Sequence, residues 1–254
     1  MKIDYVLIGN SHTDAGAHAA LSLLFPGKRP ISLLDVGCGP GTWLRAAMDL
    51  GVQDAVGVDG LDLKPDQLFV PKEVIRVHDL GSPFDLGRTF DVALCLEVAE
   101  HLPAEAAGVL IRSVTRHTNL VLFGAACPGQ RGQHHINCQW PTYWQSHFNQ
   151  AGFVCDDAAR WQIWDDARIE PWYRQNIFWA RSDPSLAGRE ARIESVVHPE
   201  MIASVTSGAL IEKLVSQIDA GSEPTSWYVA LSVRALKAKL FRHLPAFSSH
   251  KRRL

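Results

Sequence analysis

Residues 33–44 read LLDVGCGPGTWL. An apolar run leads to Asp35, three glycines follow at alternate positions, and Trp43 opens a stretch with helical spacing. The segment reads as a strand, a tight turn and a helix start. Gly37, Gly39 and Gly41 leave the backbone able to turn sharply and to approach a ligand closely. A glycine turn alone also fits an ordinary strand-to-helix connection. The spacing says more. A dinucleotide fingerprint is G-x-G-x-x-G, with the helix N-terminus open to a pyrophosphate. Here the pattern is G-x-G-x-G, and Asp35 stands two residues ahead of it. A carboxylate in that place repels phosphate and suits a ligand carrying positive charge.

Two more acids close the next apolar runs. Asp59 ends VGVDG, 18 residues after Gly41, where a carboxylate can accept both hydroxyls of a ribose. Asp79 ends the third apolar run within IRVHDL, 20 residues further on, placed to accept from an adenine amino group while Leu80 packs on the ring. Three acids around one glycine turn describe a pocket for an adenosine with a cationic tail.

Outward from this stretch, strand-like runs alternate with helical ones, as in a parallel sheet flanked by helices. Strands are expected at 31–36, 55–58, 74–77, 90–96 and 120–125, and helices at 43–50, 104–116 and 140–151. Two further strands, at 152–155 and 177–181, complete a seven-stranded α/β sheet whose last strand is a candidate for antiparallel pairing. The turn-rich DPSLAG at 183–188 separates a domain at 1–182, with an N-terminal lead-in, from a mostly helical extension at 183–254.

The motifs LDVGCGPGTW (34–43), VGVDG (56–60), HDL (78–80) and FDVALCLEVAEHL (90–102) resemble those of the class I methyltransferases, specifically the type 11/23 subgroup, in the same order. The resemblance covers residues 30–181. It implies a Rossmann-like, doubly wound sheet and S-adenosylmethionine as cofactor, whose ammonium and sulfonium match the charge of the pocket. Asp35, Gly37, Gly39 and Gly41 would surround the methionine part, Asp59 the ribose, Asp79 and Leu80 the adenine. Leu96 and Glu97 would form the wall beneath the methyl group. A nicotinamide-dependent oxidoreductase shares the fold but not the glycine spacing or Asp35.

Acceptor groups belong on the loops after strands 4 and 5. The fourth-strand loop reads LEVAEHL and not the [Asp/Asn]-Pro-Pro-[Tyr/Phe] pattern that binds planar amines, which counts against adenine, cytosine or amide acceptors. After strand 5, residues 127–144 read CPGQRGQHHINCQWPTYW. His134 or His135 is a candidate general base, because imidazole titrates near neutrality. Adjacent residues on an extended loop face different ways, so one of the two at most meets the acceptor. His101 is a further candidate. For each, a capping or backbone-bonded imidazole is the structural alternative. Asn137, Trp140, Tyr143 and Trp144 are candidate acceptor contacts. No metal is expected, since Cys127, His134, His135 and Cys138 match no zinc spacing and displacement from sulfonium needs no Lewis acid. The aromatic stretch WQIWDDARIEPWY at 161–173 reads as a cover over the acceptor, with Glu170 and Arg174 either orienting polar substrate groups or, as the favoured reading, standing as solvated charges. The expected activity is O-methylation of a small molecule or sugar. N-methylation of an amine or RNA, and a non-catalytic binding module, stand as alternatives.

The 254 residues are 46% hydrophobic and 20% charged, a composition that excludes disorder. No apolar run reaches spanning length and no cleavable leader is evident, which suggests a cytoplasmic protein. Five scattered cysteines read as reduced thiols. All 27 acids precede residue 224 and seven basic residues follow it, so a body at −9 carries a tail at +7. Val233, Leu236, Leu240 and Leu244 would form one apolar stripe on a helix at 232–244 that Pro245 stops. Docking of this stripe on the acidic body is the favoured reading. A homodimer contact, an anionic membrane and nucleic acid are the other uses, with nucleic acid disfavoured as a partner.

Overall fold

The computed structural model describes residues 14–27, 29–206, 216, 220–221 and 224–241. Seven strands form one sheet in the order β3-β2-β1-β4-β5-β7-β6. They are β1 (Ser32–Val36), β2 (Asp54–Asp59), β3 (Ile75–Val77), β4 (Val92–Leu96), β5 (Leu120–Gly124), β6 (Phe153–Asp156) and β7 (Phe178–Ser182). Each lies within two residues of its expected bounds. β1 pairs in parallel with both β2 and β4, whereas β7 runs antiparallel to β5 and β6. Strand order reverses between β1 and β4, and a doubly wound sheet opens a crevice at the carboxyl ends of strands at such a point.

Central strands buried on both faces read as unbroken apolar runs, and every residue of β4 is buried. Successive residues serve opposite cores. Leu33 faces a cluster with Leu44 and Leu94, while Leu34 faces one with Val36, Leu110, Phe123 and Phe148. Helices α1 (Asp14–Leu24) and α2 (Thr42–Asp49) contribute to the first cluster; α3 (Ala107–Thr115) and α4 (Pro141–Gln150) contribute to the second. The helix expected at 104–116 starts as a 3-10 turn, Ala104–Ala106, before α3. The lead-in supplies α1, and the aromatic stretch supplies α5 (Ala158–Ile163) and α6 (Pro171–Asn176).

The first of two compact units runs to Met201 and the second covers Ile202–Leu254, so the division expected at 183 falls inside the first unit. Residues 183–198 contain no helix. They form a strap held by Gln145 Nε2 donating to the Ala191 carbonyl (2.9 Å), Arg160 Nη1 to that of Glu194 (3.1 Å), and the His198 amide to Gln175 Oε1 (2.9 Å). The strap brings Ile193 and His198 into burial. Helices follow at Pro199–Thr206 and Thr225–Phe241. Val233 and Leu236 of the expected stripe are exposed. Residues 242–254, with Leu244 and four of the seven basic residues, lie outside the described residues. Among the described residues, no helix is long and apolar enough to cross a membrane.

Candidate functional site

A cavity of about 640 Å3 opens where β1, β2 and β4 end, lined by Asp35, Gly37, Gly39, Asp59, Asp79, Leu80, Leu96 and Glu97, among others. Eight of the nine residues expected around the cofactor therefore meet in one place. The ninth, Gly41, turns the chain into α2. Gly37 has φ 81° and Gly41 φ 90°, conformations costly for residues with a Cβ. Space forbids a side chain too: a Cβ on Gly37 would lie 2.2 Å from Val98 Cγ2, and one on Gly41 2.6 Å from Val70 Cγ2.

Asp59 has a second task that spacing did not reveal. Its Oδ2 accepts from the Gly39 amide and its Oδ1 from the Leu61 amide, both at 2.8 Å. The carboxylate thus pins the glycine turn to the β2 loop, and each oxygen keeps a lone pair for a ribose hydroxyl. Burial raises its pKa against those two donors. Asp35 Oδ2 is buried with no hydrogen-bond partner. Burial, reinforced by the Asp59 charge, pushes its carboxyl up to about 8. An orphaned buried carboxylate beside a bare glycine turn fits a ligand that brings a cation. Asp79 accepts from the Gly81 amide and the Ser82 hydroxyl, both at 3.0 Å.

Glu97 follows β4 in the left-handed region, φ 55°, a strained conformation for a residue with a side chain. Surrounding bonds hold it there. Its amide donates to the Gly124 carbonyl (2.8 Å), and its carboxylate accepts from Gln130 Nε2 (2.6 Å) and Asn176 Nδ2 (2.8 Å). Burial raises its pKa to about 7 against those donors. The loop after β5 folds back over the β4 loop, with the amides of Ile136 and Asn137 both donating to the Glu100 carbonyl, at 2.9 and 3.0 Å. That fold brings His135 edge to face against His101, ring centroids 5.0 Å apart. Both rings line the cavity, as does His134, which is exposed. Burial, with His135 alongside, lowers the His101 pKa to about 4; burial also lowers that of His135. Glu100 is fully buried beneath them.

The family model described as a methyltransferase domain matches residues 10–123. The matched stretch contains the glycine turn together with Asp35, Asp59 and Asp79. A ribosomal RNA large subunit methyltransferase E from Desulfatibacillum aliphaticivorans is 42% identical over 78 residues, 28% of this chain and 36% of that protein. The match thus spans little more than a third of that relative's length. Streptomyces venezuelae DesVI superposes on 72% of this chain and 100% of its own, at TM-score 0.52 and 16% identity. Haemonchus contortus phosphoethanolamine N-methyltransferase 1, solved with phosphoethanolamine and S-adenosylhomocysteine, covers 87% of this chain and 53% of its own, at TM-score 0.50 and 11% identity. These two likenesses show a shared fold.

Four residues expected at the acceptor do not line this cavity. Trp144 is 1% exposed and packs on Phe123 at 5.3 Å, because the apolar face of α4 turns toward the sheet. Tyr143 donates its hydroxyl to the Ala104 carbonyl (3.4 Å), Trp140 precedes the first turn of α4, and Asn137 is buried with Oδ1 accepting from Gln139. Arg174 is not solvated: it is 2% exposed, donating to the Trp164 carbonyl and to Glu200 Oε2 (2.7 Å). The aromatic stretch instead reaches the cavity through Trp172 and Tyr173, and Tyr173 meets Trp43 edge to face at 5.0 Å. Sequence reading missed Trp43, Gln130 and Ile136 as lining residues; the Trp-Tyr pair in a cover segment was the available signal. Trp144→Phe should therefore act on stability alone. It opens a small cavity but also removes a buried indole N–H that lacks a partner, so the cost stays below about 2 kcal/mol. The check is a modest fall in Tm with S-adenosylhomocysteine affinity unchanged; weakened affinity would return Trp144 to the site.

Proposed function

We propose that the chain transfers a methyl group from S-adenosylmethionine to an oxygen of a small-molecule or sugar acceptor. The observation behind this reading is the histidine group, His101, His134 and His135, which lines the same cavity as the glycine turn and its three acids. When bound, the cofactor supplies a methyl group on a sulfonium. Asp35 faces its positive charge, Asp59 receives the ribose hydroxyls, and Asp79 with Leu80 receives the adenine. Transfer is an in-line displacement, so alignment does most of the work. An acceptor hydroxyl must also lose its proton as the carbon–oxygen bond forms. The loop is not extended at this point, since His134 turns with φ 54°, so both neighbouring histidines line the cavity: His101 and His135 orient that oxygen, and His134, open to solvent, takes the proton.

The test offers labelled S-adenosylmethionine to hydroxylated sugars and phenols, to amines and to RNA. Label in methyl ethers of the small sugars or phenols supports the reading, whereas label confined to amines or to RNA overturns it. RNA belongs in the panel because the relative that is 42% identical is a ribosomal RNA methyltransferase.

Cofactor binding should also expel a proton. The Asp35 carboxyl titrates near 8 in the folded chain against an ordinary 3.8, so proton binding favours the folded state, an advantage present below about 4 and lost as pH rises to 8. A cationic ligand favours the ionised form. Affinity for S-adenosylmethionine should therefore rise between pH 6 and 8 and level off above. Calorimetry at pH 7 in buffers of different ionisation enthalpy should show release approaching one proton; an enthalpy independent of buffer would contradict this.

A further inference from the structure

We propose that Glu100, His101 and His135 form a binding site for a divalent cation of the zinc or manganese class, at the acceptor end of the cavity. Each offers one ligand atom, and the three atoms lie within 4.8 Å of one another. Ligands around a tetrahedral zinc at about 2.1 Å stand about 3.4 Å apart, so modest side-chain rotation would close the set around an ion.

Three features point to a ligand here. Glu100 is fully buried with the Glu97 carboxyl and the Ala126 amide beside it, yet no hydrogen bond of ordinary geometry reaches either of its carboxylate oxygens, and two adjoining buried carboxyls are an expensive arrangement that a cation would offset. His135 Nδ1 lies 3.0 Å from the Gln130 carbonyl oxygen. A carbonyl can only accept, so Nδ1 carries the proton and Nε2 turns its other face toward Glu100 Oε1, 4.0 Å away. That gap is too long for a hydrogen bond and wide enough for a cation between the two atoms. Metal-binding histidines are oriented in this way, with the second ring nitrogen donating to a carbonyl.

The loop is also built around the His135 ring. A Cβ on Gly132 would lie 2.0 Å from Nε2, so a side chain there would displace the imidazole. Gln130 joins the site to the wall beside it, since its side chain donates to Glu97 while its carbonyl holds His135. Two imidazoles and one carboxylate suit zinc or manganese, and three protein ligands leave a coordination position open. His101 and His135 line the cavity, so the open position faces the acceptor. This inference rests on the oxygen-acceptor reading above and specifies it: the acceptor hydroxyl binds the cation, which favours its ionisation.

The experiment strips the protein with a chelator, then titrates ZnCl2 and MnCl2 calorimetrically, without cofactor or acceptor. Wild type should bind about one ion per chain, and Glu100→Gln and His135→Ala should each weaken binding at least tenfold. The melting shift with S-adenosylhomocysteine reports whether each variant is folded. If Glu100→Gln does not fold, His135→Ala decides. No binding by wild type, or wild-type affinity in the folded variants, overturns the site. The two readings fail separately. Oxygen methylation by metal-free protein that binds no ion would remove the cation site alone, and ion binding with methyl transfer to nitrogen alone would remove the oxygen acceptor alone.

Discussion

Asp59→Ala should abolish the rise in melting temperature that S-adenosylhomocysteine gives the wild-type chain. A ligand that binds only the folded state raises its stability in proportion to ligand concentration over Kd, so the shift measures affinity. Two losses combine in the variant. The ribose loses its acceptor, and the amides of Gly39 and Leu61, each 2.8 Å from the carboxylate, lose the group that fixes the glycine turn. Removing one partner of a buried, charged hydrogen-bonded set costs about 2–5 kcal/mol, or at least a thirtyfold fall in affinity. Asp59→Asn separates the two contributions. Its amide keeps the shape and one acceptor oxygen, so it should retain a part of the shift. S-adenosylhomocysteine is the right probe, because it lacks the sulfonium and leaves the ribose contact exposed to measurement. An unchanged shift in Asp59→Ala would move the ribose elsewhere in the cavity. A shift with NADH but none with S-adenosylhomocysteine would remove the cofactor assignment altogether.

His135→Ala should lower turnover by about 10²-fold or more while leaving cofactor affinity within a few-fold of wild type. Displacement at a methyl group depends on the acceptor oxygen standing in line with the departing sulfur, and a displacement of one ångström can cost 10²-fold. His135 is held by Gln130 and packs on His101, and no hydrogen bond among the described residues ties its ring to Asp35, Asp59 or Asp79. Its loss should therefore spare the adenosine contacts. His134→Ala, which removes the proposed proton acceptor and leaves the pair in place, should lower turnover by a similar order with KM little changed. The comparison is made by single-turnover rates beside S-adenosylhomocysteine melting shifts. Equal losses of rate and affinity in His135→Ala would mean a collapsed loop and not a lost acceptor contact. Full activity in both variants would place the role on His101 or on alignment alone.

The central strands β4 and β5 were legible because they are short runs buried on both faces, which read as near-unbroken apolar stretches, and the outer strands, more exposed, were legible from their place in the alternation with helices. The cofactor residues were legible for a related reason. They sit where strands end, so local sequence places Asp35, Asp59 and Asp79 at one edge of the sheet once the strands are known. The acceptor side was not legible in that way. Trp144 and Tyr143 look like ring-binding residues in sequence, but the phase of α4 sends Trp144 into the core. The extension after residue 183 looked separate because its turn is strong. Its attachment depends on distant partners, Gln145, Arg160 and Gln175.

The sequence by itself determined a parallel sheet with a glycine turn and three acids for a cationic adenosine, because these follow from period, spacing and charge within short stretches. Only the tertiary structure decided which histidines meet. His101 and His135 are 34 positions apart in the chain, and their pairing over Glu100 exists because two loop amides donate to the Glu100 carbonyl. That contact fixes the loop after β5 upon the loop after β4, and no local pattern encodes it.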